Sequence, residues 1–324
     1  MYPLKFKPYY VEKVWGGEKL SSFKIDVPKG NIGESWELSY HKDHISEICN
    51  GIFKGKKLDE IIDLKKEKLL GTEVKSHRFP LLIKFLDAQQ KLSVQVHPGD
   101  DYALKNEDDL GKTEVWVILD AKEDARLVLG TEEVNREEFK RSIEEGDLEK
   151  YLKYIPVKKG EIYFIKSGLI HTMEGVLVAE IQQNSNVTYR VYDYNRGREL
   201  HVDKALDVID FNLVGKNAKG LTLKEEGYEK TYYCYDKNFV LKKYDVKGVC
   251  KEESDLERFF IFMCIDGDGK IIYTDGEETI KTGETLLIPA SLGKYSLEGS
   301  MSLLKTYVPN LEKFEKDILN RIKY

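Results

Sequence analysis

Long apolar runs are missing from this 324-residue chain, and no stretch approaches the roughly 18 uncharged apolar residues of a membrane-spanning helix. The opening MYPLKFKPYYVEKVWGG also lacks the apolar segment of a secretory leader, so none is expected. Cysteine is scarce. Cys49, Cys234, Cys250 and Cys264 form no C-x-x-C pair and no dense framework, which points to reduced thiols and a cytoplasmic protein. Basic charge is not in excess: 51 Lys and Arg against 57 Asp and Glu leave a net charge of -6, which argues against non-specific nucleic-acid binding. Histidine stops at His201, the last of six. The remainder, 41% hydrophobic and 33% charged, can build a packed core and is too apolar for disorder. At about 150 residues per domain, the length predicts roughly two domains.

Much of the chain alternates with period two, the mark of half-buried strands. FPLLIKFLDA from Phe79, KLSVQVHP from Lys91, EVWVILDA from Glu114, EIYFIK from Glu161, VLVAEIQQ from Val176 and VTYRVYDY from Val187 all read this way. Helical spacing is local: 57–71 closing on Gly71, about 135–155 opening on Asn135 with Glu138 as a capping box, 203–211, and 311–324. Helices set between runs of strands, without βαβ alternation, predict a mainly β sandwich or barrel.

One internal repeat stands out. Gly160–His171 and Gly283–Lys294 have equal length, begin Gly-Glu, continue as an apolar strand and end on a polar residue. The first copy closes on histidine and the second on lysine, an asymmetry that locates the chemistry in the first half. The second half reads as packing or an oligomer surface. Its GDGK at Gly267–Lys270 lacks P-loop spacing and is expected to be a hairpin turn.

Gln95 and His97 lie two apart on a predicted strand and so share a face. Glu114 opens another strand and His171 ends the repeated turn. Two imidazoles, a carboxylate and an amide oxygen suit Zn²⁺, Fe²⁺ or Co²⁺ if the strands are neighbours; otherwise both histidines are hydrogen-bonded turn residues. His41, His44, His77 and His201 sit in polar surroundings and read as surface residues. Lys84, Glu180 and Arg190 interrupt apolar strands, and Lys112 lies two residues before Glu114. Single charges in strands are explained by sheet edges. Several together predict a polar cavity for a charged substrate, because Arg and Lys in a concave site favour phosphate or carboxylate.

QVHP, GKTE, GLIH and above all EIQQNSNVTYRVYDYNR, with VWGG at Val14–Gly17 and GESWELS at Gly33–Ser39, resemble the type I mannose-6-phosphate isomerases in their shorter bacterial form. The likeness runs from about residue 10 to 211. It implies two cupin (double-stranded β-helix) domains with helical insertions: a catalytic, metal-binding domain over 1–228 and a second, without metal ligands, over 229–324. It implies one Zn²⁺ on His97, Glu114 and His171, with Gln95 as fourth ligand. Arg190 falls on the family's catalytic arginine, Lys84 and Lys112 on pocket lysines, Ser93 on a serine near the phosphate, and Glu180 on a pocket carboxylate.

Two departures bear on proton transfer: Asn186 stands where some members have aspartate, and Thr172-Met173 follows the second histidine where longer members soon have tyrosine. The implied reaction is interconversion of mannose 6-phosphate and fructose 6-phosphate through an enediol. The metal and Arg190 would stabilise the oxyanion, and Glu180 or a metal-bound water would act as base. The implied partner is a small sugar phosphate, with no nucleic acid and no membrane, and monomer and homodimer both remain open. An Fe(II) oxygenase on the same scaffold is disfavoured by the missing His-x-Asp/Glu at His97-Pro98-Gly99, and a sugar-phosphate sensor by the retained ligand set.

Overall fold

The computed structural model describes residues 1–74 and 78–310, so the helix expected over 311–324 lies outside the described residues. The chain is mainly β and divides into two compact units that interleave along the sequence, rather than parting once at residue 228. One unit is Pro8–His44 with Leu81–Ala218; the other comprises the described residues of Met1–Lys7, Ile45–Pro80 and Lys219–Tyr324.

In the first unit the antiparallel order is Ile162–Ile165, Glu114–Thr131, His171–Gln183, Leu81–Ala88, Ile32–Leu38 and Tyr9–Gly17. Val94–Val96 pairs with both His171–Gln183 and Tyr189–Tyr192. Side-chain alternation sorts the two faces. Leu86, Ala88, Trp116, Ile118, Val176 and Val178 pack into one core cluster. Continuing the same parity along those strands reaches Lys84, Glu114, Glu180 and Gln182, so one end of this inward file is polar and the rest apolar. On the opposite face, Val94, Val96, Tyr189 and Val191 join Phe139, Ala205 and Leu206 of two covering helices. Gln95 and Arg190, which alternate with those residues, therefore turn inward.

The helix predicted over 135–155 forms only across Arg136–Glu145. Asn135 accepts from the Glu138 N–H and Glu138 reaches back to the Asn135 N–H, as the capping box predicts. Left-handed Gly146 stops it, and Leu148–Tyr151 and Leu152–Pro156 continue as a 3₁₀ turn and a strand paired to Glu114–Thr131. The helix predicted over 203–211 forms over Val202–Val208. Lys19–Phe23 and Asp100–Asn106 are helices too short for periodicity to reveal.

The second unit has the antiparallel order Leu4–Lys5, Thr285–Ile288, Phe260–Tyr273, Lys294–Tyr307, Val240–Glu253, Tyr228–Tyr235 and Leu221–Glu225, with Gly276–Lys281 also on Phe260–Tyr273. The helix predicted over 57–71 forms as Leu58–Leu70 and packs in this unit. It buries Leu58, Ile61, Ile62, Leu69 and Leu70, and its terminal carbonyls of residues 68, 69 and 70 accept from Ser291, Ala290 and Phe259 N–H groups. Gly71, at φ +93°, lies so close to the Glu257 backbone that a Cβ would stand 2.2 Å from its carbonyl carbon. Gly267–Lys270 is no hairpin turn: it runs inside Phe260–Tyr273, just past a register shift at 264–266, and the chain reverses at 274–275. The repeat is borne out. In each copy a positive-φ glycine (Gly160, Gly283) precedes a four-residue strand, and the last residue of the copy, His171 or Lys294, opens the next strand. Among the described residues, no helix is long and apolar enough to cross a membrane.

Candidate metal centre and active site

Cross-strand register assembles the site. His171 stands opposite Gln95, which in turn stands opposite Arg190, while Glu114 stands opposite both Gln182 and Ile165. Residues opposite one another in a ladder project from the same face. His97, Glu114 and His171 are fully buried, and their donor atoms lie within 4.8 Å of one another. His97 Nδ1 is 2.8 Å from the Val187 carbonyl, and His171 Nδ1 is 2.8 Å from the Leu169 carbonyl. A carbonyl only accepts, so both Nδ1 atoms carry the proton and both Nε2 atoms present lone pairs.

Those lone pairs face each other at 3.2 Å, and Glu114 Oε1 is 3.7 Å from each. Neither Glu114 oxygen accepts a well-aligned hydrogen bond among the described residues, although Lys112 Nζ lies 2.8 Å from Oε2. Burial, reinforced by the Lys112 charge, pushes the His97 imidazole down to about 3, and burial lowers His171 as well. Protonation therefore does not relieve the convergence of three electron-rich atoms near pH 7. A cation does. Bonds of about 2.0–2.1 Å at a tetrahedral angle set donor nitrogens roughly 3.3–3.4 Å apart, close to the observed spacing.

Behind this cluster runs a second ladder row: Trp36, Lys84, Glu180, Trp116 and Tyr163, each opposite the next. Glu180 accepts from Trp116 Nε1 at 3.0 Å, and its other oxygen is 3.9 Å from Lys84 Nζ. Lys84 also lies 3.4 Å from Glu34 and 4.5 Å above the Trp36 ring. Burial and the Glu114 charge push the Glu180 carboxyl up to about 7, against Lys112 and Lys84. Glu34 behaves oppositely. Burial opposes its ionisation, but Lys84 and Lys13 outweigh burial and hold it down to about 2.

Comparison with known proteins decides what this arrangement belongs to. The model of the phosphomannose isomerase type I catalytic domain matches residues 4–110, and that of the mannose-6-phosphate isomerase cupin domain matches 228–308. The probable mannose-6-phosphate isomerase GmuF of Bacillus subtilis is 38% identical over 313 residues, 94% of this chain and 98% of that protein. Mannose-6-phosphate isomerase ManA of Bacillus subtilis is 36% identical over 305 residues, covering 92% and 96%. The crystal structure of the mannose 6-phosphate isomerase from Bacillus subtilis superposes with a TM-score of 0.89 at 35% identity, over 94% of this chain and 99% of that one. The chain belongs to the type I phosphomannose isomerases. It is thus an enzyme of a metal-dependent family that interconverts mannose 6-phosphate and fructose 6-phosphate, and the expected cupin fold holds.

The remaining expected site residues of this isomerase fall in several places. Gln95 turns its amide nitrogen, not its oxygen, to His171 Nε2 at 3.3 Å, while its oxygen accepts from Ser93 Oγ at 3.4 Å. With the amide turned over, the Gln95 oxygen would face His171 Nε2 as a metal ligand does, and the Ser93 hydroxyl, donor and acceptor, pairs with either orientation. Arg190 turns inward with Gln95. Its Nη1 donates to the Glu199 carbonyl at 2.6 Å, and its buried Nε has no partner among the described residues.

Trp36 and Trp116 stand in the Lys84–Glu180 row, and Glu34, opposite Leu86 in the ladder, reaches Lys84 from the same face. None of the three is conspicuous in the sequence, although GESWELS places Glu34 and Trp36 on one face of a strand. His41 is not a surface residue: it is 4% exposed and bonded to Asp109 at 3.1 Å. Asn186, in place of the aspartate of some relatives, donates to Asp43 at 2.9 Å. His77 lies outside the described residues.

Proposed function

We propose that this chain isomerises mannose 6-phosphate and fructose 6-phosphate in the cytoplasm, with one Zn²⁺ held by His97, Glu114, His171 and the rotated amide of Gln95. The observation that carries the reading is the pair of imidazole Nε2 atoms 3.2 Å apart, each 3.7 Å from the buried Glu114 Oε1. Zinc bound there supplies a Lewis acid that favours negative charge on the substrate oxygens at C1 and C2. The Val187 and Leu169 carbonyls fix each imidazole's tautomer and ring plane, so the donor set is built before the metal arrives.

Isomerisation moves one proton between C1 and C2 through an enediol. Glu180 is the base in this reading: a buried carboxylate with one oxygen fixed by the Trp116 indole and the other 3.9 Å from the Lys84 ammonium. Arg190, on the inward face beside Gln95, stabilises the oxyanion that develops as the proton leaves. Lys84 and Lys112, both buried, with Ser93 at the edge of the cluster, orient the phosphate and sugar hydroxyls.

The test couples fructose 6-phosphate formation to a spectrophotometric readout, with metal per chain counted by mass spectrometry. Chelator treatment should remove one metal per chain and abolish turnover, and zinc should restore both. Turnover that persists in metal-free protein would refute the metal assignment. Fully loaded protein without turnover would refute the activity.

A further inference from the structure

The strand His171–Gln183 ends on two glutamines that the proton transfer does not use, and both are buried. Gln182 stands opposite Glu114 in the ladder, and Gln183, one residue on, projects from the other face. Gln182 Nε2 donates to the Gln183 carbonyl at 3.0 Å and to the Ser185 carbonyl at 2.5 Å. Gln183 Nε2 donates to Asp100 Oδ1 at 2.9 Å, and its side-chain oxygen accepts from the Thr113 N–H at 3.0 Å. Carbonyls and carboxylates only accept and a backbone N–H only donates, so each amide has a single orientation.

Gln182 acts on one end of a short relay. The Ser185 N–H donates to the Gln183 carbonyl at 2.7 Å, and Ser185 Oγ accepts from the Val187 N–H at 3.3 Å. Gln182 thus folds 183–185 into a tight turn whose hydroxyl holds Val187, and the Val187 carbonyl is the one that His97 Nδ1 meets at 2.8 Å. Gln183 braces the other side. Its own N–H donates to the Thr113 carbonyl at 3.1 Å, so it grips both backbone groups of Thr113, between Lys112 and Glu114. Asp100, three residues beyond His97, also accepts from the Gly111 N–H at 3.0 Å, and the Lys112 N–H donates to the Pro98 carbonyl at 3.0 Å. Two side chains thereby tie the segments that carry His97 and Glu114 to the end of the strand that His171 opens.

We propose that Gln182 and Gln183 are positioning residues of the metal centre. Gln182 sets the His97 imidazole through the 183–187 turn, and Gln183 sets the Lys112–Glu114 pair through Thr113. The proposal rests on the zinc reading of the site, and neither glutamine is a ligand in it. Loss of partners that orient ligands weakens metal binding roughly 10–100-fold.

Two readouts on the full chain separate this from a merely structural role. Zinc affinity is measured by competition with a chromophoric chelator. Solvent exchange of the imidazole Nδ1 protons is followed by NMR on metal-free protein with isotope-labelled histidine, the signals being assigned with His97→Gln and His171→Gln. Gln182→Met keeps the side-chain length and removes both donated bonds. It should weaken zinc about 10–100-fold and speed exchange at His97, whereas His171, held by the Leu169 carbonyl, keeps its wild-type rate. Ser185→Ala removes only the hydroxyl and should shift both readouts the same way to a smaller extent; it decides the role of the turn should Gln182→Met fail to fold. Gln183→Met should weaken zinc comparably while both imidazoles keep their rates. Wild-type zinc affinity in these variants would overturn the proposal, as would equally faster exchange at both histidines. Wild-type protein that binds no zinc would refute the metal assignment instead, and the exchange rates, read without metal, would still decide whether Gln182 positions His97.

Discussion

Replacing Glu180 with glutamine separates chemistry from architecture at this site. The amide keeps the size of the carboxylate and an oxygen for the Trp116 indole, which donates at 3.0 Å. Lys84 loses a partner at 3.9 Å but keeps Glu34 at 3.4 Å, so no buried ammonium is stranded. The stability change should stay near the scale of one hydrogen bond, about 1 kcal/mol. The reaction, in contrast, loses its proton acceptor, a group worth roughly 10²–10⁴ in rate, or about 3–5 kcal/mol of barrier. Three readouts test this together: kcat and KM from the coupled assay, metal per chain, and wash-in of solvent deuterium at the substrate C–H followed by NMR. We expect kcat to fall at least about a hundredfold with KM and metal content nearly unchanged. Deuterium wash-in should slow in parallel. A kcat within tenfold of wild type in fully loaded Glu180→Gln protein would remove Glu180 as the base, as would exchange at the wild-type rate.

Arg190→Ala should lower kcat far more than it lowers metal content, because its guanidinium bonds to the Glu199 carbonyl and to no proposed metal ligand. Wild-type turnover in that variant would exclude Arg190 from the mechanism. In the second unit, Glu252→Gln leaves Lys230 and Lys305 buried against half a partner, and it should cost about 3–5 kcal/mol in urea unfolding. Acid tests the same contact. Burial opposes ionisation of Glu252, but Lys305 and Lys230 hold its carboxyl down to about 2 against an ordinary 4.5. Its stabilisation is therefore complete above that ordinary value and is lost as pH falls from about 4.5 to about 2, amounting to roughly 3 kcal/mol. An equal pH dependence in wild type and Glu252→Gln between pH 5 and 3 would refute the assignment.

The elements most legible in the sequence were those whose signal is local. Strict alternation found the strands around Leu81–Ala88 and His171–Gln183, and the Asn135–Glu138 box found a helix start. The helix end was missed because residues 148–155 keep an apolar spacing, and only pairing with Glu114–Thr131 turns 152–156 into a strand. The metal-ligand candidates were legible because histidine is rare and carries its chemistry in one atom. The second ladder row was only half legible: Lys84 and Glu180 are conspicuous charges in apolar strands, whereas Glu34, which register pairs with Leu86, becomes interesting only through its carboxylate 3.4 Å from Lys84. His41 misled because its polar neighbours in sequence are not its neighbours in space. Asp109, 68 residues away, supplies the partner that permits burial. The interleaving of the units had no signal in composition. It rests on which backbone groups accept from which, as at the C-terminal end of the Leu58–Leu70 helix.

The two units share a device and apply it with opposite charge. In each, a strand opens on the last residue of the repeated segment, and its inward file passes from polar to apolar. Where that file holds Glu114 and Glu180, the buried site attracts a cation, and two imidazoles with lone pairs outward have a reason to stay close. Where it holds Phe260 and Lys305, the ammonium lies 3.9 Å over the Phe260 ring and shares Glu252 with Lys230. Desolvated ammoniums favour an anion for the same reason that desolvated carboxylates favour a metal. Strand pairing thus fixes where buried charge gathers, and a few inward residues near the strand ends decide its sign.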